Sequence, residues 1–167
     1  MQQLAGSSVA LAGEPRIAAI LQRVCDLTGM GFAAVARVTD ERWTACQVLD
    51  RIDFGLDPGD ELELKTTICN EIRDHRKAVV FDRASGHAYW RNHPTPVLYG
   101  FESYIALPIT LSDGQFFGTL CALDPEPRTV EVPSLVALLR DLADQLATIL
   151  ESPVTPAQGL DGIASPR

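Results

Sequence analysis

The chain has 167 residues, 46% hydrophobic and 22% charged, the balance of one folded domain large enough to bury a core and not of a disordered chain. Fourteen Lys and Arg stand against 22 Asp and Glu, a net charge of −8. A field of that sign argues against nucleic acid and anionic membrane surfaces as partners. No apolar run reaches the roughly 18 residues of a membrane span, and the N-terminal stretch MQQLAGSSVALAG has neither the charge nor the apolar run of a secretory signal. The chain is therefore expected to be cytoplasmic, with Cys25, Cys46, Cys69 and Cys121 as thiols and not disulfides.

Residues 1–14 read as a flexible segment and 152–167 as a disordered tail, both too poor in large apolar groups to offset their ordering entropy. The domain is expected over 15–151. Its first helix opens at Pro15, carries Ile17, Ile20, Leu21, Val24 and Leu27 on one stripe, and stops at Gly29 in a left-handed cap. A strand with Phe32, Ala34, Ala36 and Val38 alternating follows, then a turn at Asp40-Glu41-Arg42 and a strand from Trp43 to Leu49. The segment from Arg51 to Lys65 reads as loop, with Asp60, Glu61 and Glu63 a solvated acidic run. Thr66 or Thr67 caps a short helix reaching His75, and Ala78 to Phe81 is a short strand. Asp82 to Gly100 is irregular by composition. Phe101 to Thr110 and Phe116 to Leu123 form a hairpin across Ser112-Asp113-Gly114. The last helix opens at Pro133, with Leu135, Leu139, Leu142, Leu146 and Ile149 in a seam and Leu138 and Leu150 widening it. Paired strands with helices outside them predict an α+β fold on an antiparallel sheet.

Two stretches carry a resemblance. TTICNEIRDHRKAVVFDRAS, followed by HPTPVLYGFESYIALPITLSDGQFFGTLCALD, resembles GAF domains, in particular those of bacterial sensor histidine kinases. The likeness covers about residues 17 to 151. It implies a central antiparallel sheet with the terminal helices on one face and a lid of short helices and loops on the other. It further implies a sensory role with a small-molecule ligand under the lid, a homodimer through the terminal helices, and regulation of a histidine kinase or other output protein. No His follows the last helix and no Gly-rich nucleotide loop is present, so output is expected from a partner in trans or from a domain outside this chain.

The irregular cover concentrates His87, Tyr89, Trp90, His93, Tyr99 and Phe101, and large rings with polar tips suit a small-molecule site. Against this stands the reading that the rings simply fill the space above the sheet. With the family pocket in mind, the candidate ligand contacts are Cys69, His87, Tyr89, Trp90, His93, Tyr99, Tyr104 and Cys121. Cys69 begins a helix, where the dipole favours a thiolate, whereas Cys121 lies mid-strand as a packed thiol. His87 and His93, with Asp82 and Glu102, have no zinc spacing, and no metal is expected. The resemblance admits two alternatives: a tetrapyrrole photosensor, with bilin or haem as cofactor, or a free methionine sulfoxide reductase using Cys69 and Cys121. Neither Cys69 nor Cys121 is followed by the His of bilin attachment sites, and the reductases' Gly-x-Cys-Gly loop is absent from the sequence. No catalytic residue is assigned.

Overall fold

Glu14 and Pro15 start the first helix, α1 (Pro15–Thr28), as the missing proline N–H and the Glu14 carboxylate, which accepts from Arg16 N, dispose of two orphan donors. Gly29 closes it at φ 74°, a left-handed conformation that a residue with a Cβ resists. The computed structural model describes residues 11–152, so the expectations for 1–10 and 153–167 lie outside the described residues. Of the segment expected to be loose, Leu11 is buried in the core and Glu14 is buried beneath its own cap.

Six strands follow: β1 (Phe32–Val38), β2 (Trp43–Asp50), β3 (Glu61–Leu62), β4 (Val79–Phe81), β5 (Ser103–Thr110) and β6 (Phe116–Asp124). They form one sheet in the order β3-β2-β1-β6-β5-β4, with every neighbouring pair antiparallel. Between them lie α2 (Ile68–His75) and α3 (Pro94–Tyr99), and α4 (Pro133–Leu150) ends the described chain. The expected α+β class is observed. Thr67 rather than Thr66 caps α2, its hydroxyl accepting from Asn70 N at 3.2 Å. The β5–β6 turn is held by Gly114 N donating to Leu111 O at 2.9 Å, with Gly114 at φ 88°.

Strand alternation splits the interior in two. Ala33 and Val35 of β1 and Ile105, Leu107 and Ile109 of β5 face α1 and α4. Phe32, Ala34, Ala36, Tyr104, Ala106 and Cys121 face the opposite side, which α2 and the 82–102 segment cover. The α4 seam is consumed inside the chain: Leu139, Leu142 and Leu146 are buried against the sheet and α1, with Leu135 and Ile149 packed at the margin. Leu150, expected beside the seam, returns to the buried face one turn after Leu146, while Leu138 stays 45% exposed.

Two elements were not legible. The loop of residues 51–65 contains the two-residue strand β3 and runs into a 3-10 turn at Leu64–Thr66, and the irregular segment contains two 3-10 turns, Ala84–Gly86 and Trp90–Asn92, followed by α3. None of the four cysteines is in a disulfide.

Candidate functional site

A hollow lies between the sheet and its cover. Its floor is the lid-facing alternation of β1, β2, β5 and β6: Phe32, Trp43, Tyr104 and Cys121. Its walls come from the loop after β2 (Phe54, Leu56) and the first turn of α2 (Ile68, Cys69), and its roof from Thr95, Tyr99 and Phe101. Counted out to its mouth it encloses about 380 Å³ of space between atoms, but the part that a water molecule can enter is about 30 Å³. That is room for one or two waters. No Asp, Glu, Lys, Arg or His lines it.

The roof is latched to α2 by side chains. His93 Nδ1 accepts from Thr95 N at 3.1 Å, which caps α3 and places the ring proton on Nε2. That Nε2–H donates to Glu71 Oε2, and Tyr89 OH donates to Glu71 Oε1 at 3.2 Å. Thr95 Oγ1 donates to Thr66 O, and the Tyr99 and Thr66 hydroxyls lie 2.8 Å apart. Beyond the latch, Trp90 stacks on Phe81 with centroids 4.9 Å apart, and Phe81 stacks on Tyr104 at 5.5 Å. This ladder shuts the hollow on that side. Outside it the cover is apolar to solvent, with Val97 62% and Leu98 61% exposed.

Two thiols meet at the floor. Cys69 Sγ lies 3.0 Å from Thr119 Oγ1 and 3.6 Å from Tyr104 OH, and Cys121 lines the same floor, its thiol the strongest influence on the charge of Cys69. The Trp43 indole N–H also turns towards this sulfur without the alignment of a full hydrogen bond, and it is buried with no other acceptor. These donors, Cys121 foremost, outweigh burial and bring the Cys69 thiol down to about 6. Cys121 moves the other way, well above its usual value, because a hydrogen bond to Cys69 holds its proton in place and it is itself buried. Burial first, and then the charge on Cys69, raise Tyr104 well above the usual phenol, so it remains a donor.

The family model described as GAF domain matches residues 14–150. The chain belongs to the GAF domain family. Among curated proteins no relative matches. Solved structures share the fold at low identity. The PixJ GAF domain of Thermosynechococcus elongatus, in its blue-light absorbing form, is 14% identical with a TM-score of 0.66, over 90% of this chain and 89% of that one. A type II free methionine-R-sulfoxide reductase from Thermoplasma acidophilum is 12% identical, TM-score 0.63, over 83% and 92%. The GAF domain of a two-component sensor histidine kinase from Bacillus halodurans is 15% identical, TM-score 0.59, over 80% and 90%.

Of the eight side chains expected around a ligand, this GAF domain brings Cys69, Tyr99, Tyr104 and Cys121 to the hollow. His93, Tyr89 and Trp90 serve the cover instead, as latch and stack. His87 is exposed, its Nδ1 accepting from Tyr89 N at 3.2 Å. Sequence reasoning missed Trp43, Phe54 and Leu56. Trp43 had a usable signal, since it opens a strand paired with the Phe32 to Val38 stripe, while Phe54 and Leu56 sit in a loop with no periodicity to read. Among the described residues no three His, Cys, Asp or Glu side chains gather as a metal would need, and no helix is long and apolar enough to cross a membrane.

Proposed function

We propose that this GAF domain is a non-enzymatic sensory module of signal transduction, which takes a small uncharged ligand beneath the 82–102 lid. It passes the change in lid closure through the sheet to the terminal helices, and so to a histidine kinase or other output protein. The observation that carries this reading is a ring-lined hollow, free of Asp, Glu, Lys, Arg and His, whose roof helix α3 is tied down by side-chain hydrogen bonds. Aromatic walls with a few hydroxyl and indole tips are the composition of a small-molecule site. A ligand larger than water enters by lifting α3 off Thr66 and Glu71, and Gly100 at φ 71° marks the hinge at its end.

The same lining speaks against the enzyme and photosensor alternatives. A free amino acid sulfoxide is a zwitterion, and no Asp, Glu, Lys or Arg lines the hollow to pair with its ammonium and carboxylate. A tetrapyrrole is disfavoured because its propionates find no cation among the lining residues and both His93 nitrogens are engaged.

Native mass spectrometry of freshly purified protein, with thermal melts in phenol and indole as probes, tests the reading. A retained small molecule, or a melting temperature raised by a few degrees at saturation, is expected. No adduct and no shift with either probe would overturn it in favour of a second reading, a GAF domain that serves only as a dimerisation platform. The small free volume is what favours that second reading.

A further inference from the structure

Cys69 on α2 and Cys121 on β6 are 52 positions apart in the chain, yet both line the same small hollow, in the same cluster of buried side chains. Neither is bridged, and nothing in the ligand reading uses their chemistry. We propose that Cys69 and Cys121 form a peroxide-reactive dithiol, with Cys69 the attacking sulfur and Cys121 the resolving one.

Three observations converge on it. The first is size and charge: the water-accessible space of about 30 Å³ beside the thiols admits hydrogen peroxide, which is neutral and scarcely larger than two waters, with no movement of the lid. The second is a set of donors placed for the reaction. The Thr119 hydroxyl at 3.0 Å and the Tyr104 hydroxyl at 3.6 Å face the Cys69 sulfur. The Trp43 N–H, buried and lacking an aligned acceptor, points to the same spot. Such donors hold a thiolate before the reaction and a departing hydroxide during it. The third is asymmetry. The same contacts that favour the thiolate at Cys69 keep Cys121 protonated, so attacker and resolver are distinguished before any oxidant arrives. Cys25, on the helix side of the sheet, is raised to about 11 chiefly by burial and makes an internal control.

The chemistry balances without a further reductant. A lone pair of the Cys69 thiolate attacks one peroxide oxygen; the S–O bond forms, the O–O bond breaks, and hydroxide leaves with the electron pair. Cys121 then attacks the Cys69 sulfur; the S–S bond forms and the S–O bond breaks. The second oxygen leaves as water with the Cys121 proton, and hydroxide is neutralised by the proton that Cys69 had released. Two thiols and one peroxide become one disulfide and two waters. The product, an S–S bond of about 2.05 Å, staples α2 to the middle of the sheet beneath the lid.

The test is one equivalent of hydrogen peroxide added to the reduced protein at pH 7, followed by intact mass and peptide mapping. Loss of two hydrogens, mapped to a Cys69–Cys121 disulfide and formed at least about tenfold faster than free cysteine oxidises, is expected. Cys121→Ser should stop at a sulfenic acid on Cys69, trapped as a single dimedone adduct, and Cys69→Ser should leave Cys121 unreacted on that timescale. Thr119→Val keeps both thiols and the packing volume, and it should slow oxidation about tenfold, so the proposal stays testable if a cysteine variant fails to fold. Oxidation spread over Cys25 and Cys46, or a rate no faster than free cysteine, would overturn it. Either result leaves the ligand reading standing, because that reading is measured by retained mass and melting temperature.

Discussion

Gly118 shows what a single missing side chain does in this fold. It stands on β6 opposite Arg37 of β1, and a Cβ built there would drive into the Ala36 carbonyl, backbone that cannot swing aside. The neighbouring β1–β2 ladder is already irregular, since Cys46 is an extra residue between the Val35–Gln47 and Ala36–Ala45 pairs. Gly118→Ala is therefore expected to cost about 1–3 kcal/mol by overpacking, read as a lowered urea midpoint with unchanged slope. The family-like residues Asp82 and Asp124 serve the backbone too. Asp82 Oδ1 accepts from Val130 N at 2.7 Å and Glu131 N at 2.9 Å, and Asp124 accepts from Gly31 N and Glu126 N at 2.9 and 2.8 Å. At this scale pH also enters. The Cys25 thiol is raised from 9.0 to about 11 in the folded chain, mainly by burial. A folded value above the unfolded one means its contribution is intact below pH 9 and is lost as pH rises through 11. Urea titrations at pH 8 and pH 10.5 should show wild type losing more stability than Cys25→Ala; equal losses would contradict the assignment.

Among the elements, the sequence declared those whose pattern is set by one repeating contact. The α1 stripe, its Gly29 stop and the β5–β6 hairpin each follow a single period and a local turn signal, and each is observed. The strand β3 and the helix α3 carry no such period. The first is two residues long, and the second is six residues with prolines at its first and third positions, so tertiary contacts alone define them. The site divides the same way. Cys69, Tyr99 and Tyr104 were legible as side chains near a lid, whereas their company with Trp43, Phe54 and Leu56 depends on a β2 loop folding back over the sheet. Because α3 is too short to hold itself, its latch should matter more than its sequence. His93→Ala removes both the cap on Thr95 N and the bond to Glu71. It is expected to destabilise the chain by about 1 kcal/mol. Amide exchange should rise over residues 93–100 and stay unchanged in α1 and α4. Exchange rising uniformly across the chain would mean that the lid has no independent opening.

For the whole molecule, the sheet is a single layer with a different neighbour on each side. On β5, Tyr104 faces the hollow and Ile105 faces the helix core; on β6, Cys121 and Ala122 divide likewise. The two strands that carry Tyr104 and Cys121 under the lid are thus the ones that link the hollow to the helix side, where α4 packs on β5. What α4 can hand on is limited by what it has left to show. With Leu139, Leu142, Leu146 and Leu150 buried at home, Leu138 is the large apolar side chain of α4 still 45% exposed, with Ala137 exposed beside it and Leu135 at the margin. A homodimer through the terminal helices, the arrangement that the family resemblance implies, would therefore centre on Leu138 and could not draw on the seam. Leu138→Glu places a charge in that interface while disturbing no packed neighbour in the monomer, so folded stability should move by no more than about 0.5 kcal/mol. Sedimentation velocity at about 50 μM should give a dimer for wild type and a monomer for Leu138→Glu, with matching far-ultraviolet circular dichroism. Wild-type protein sedimenting as a monomer, or the variant as a dimer, removes α4 from the interface and leaves the output to be carried by some other surface of the domain.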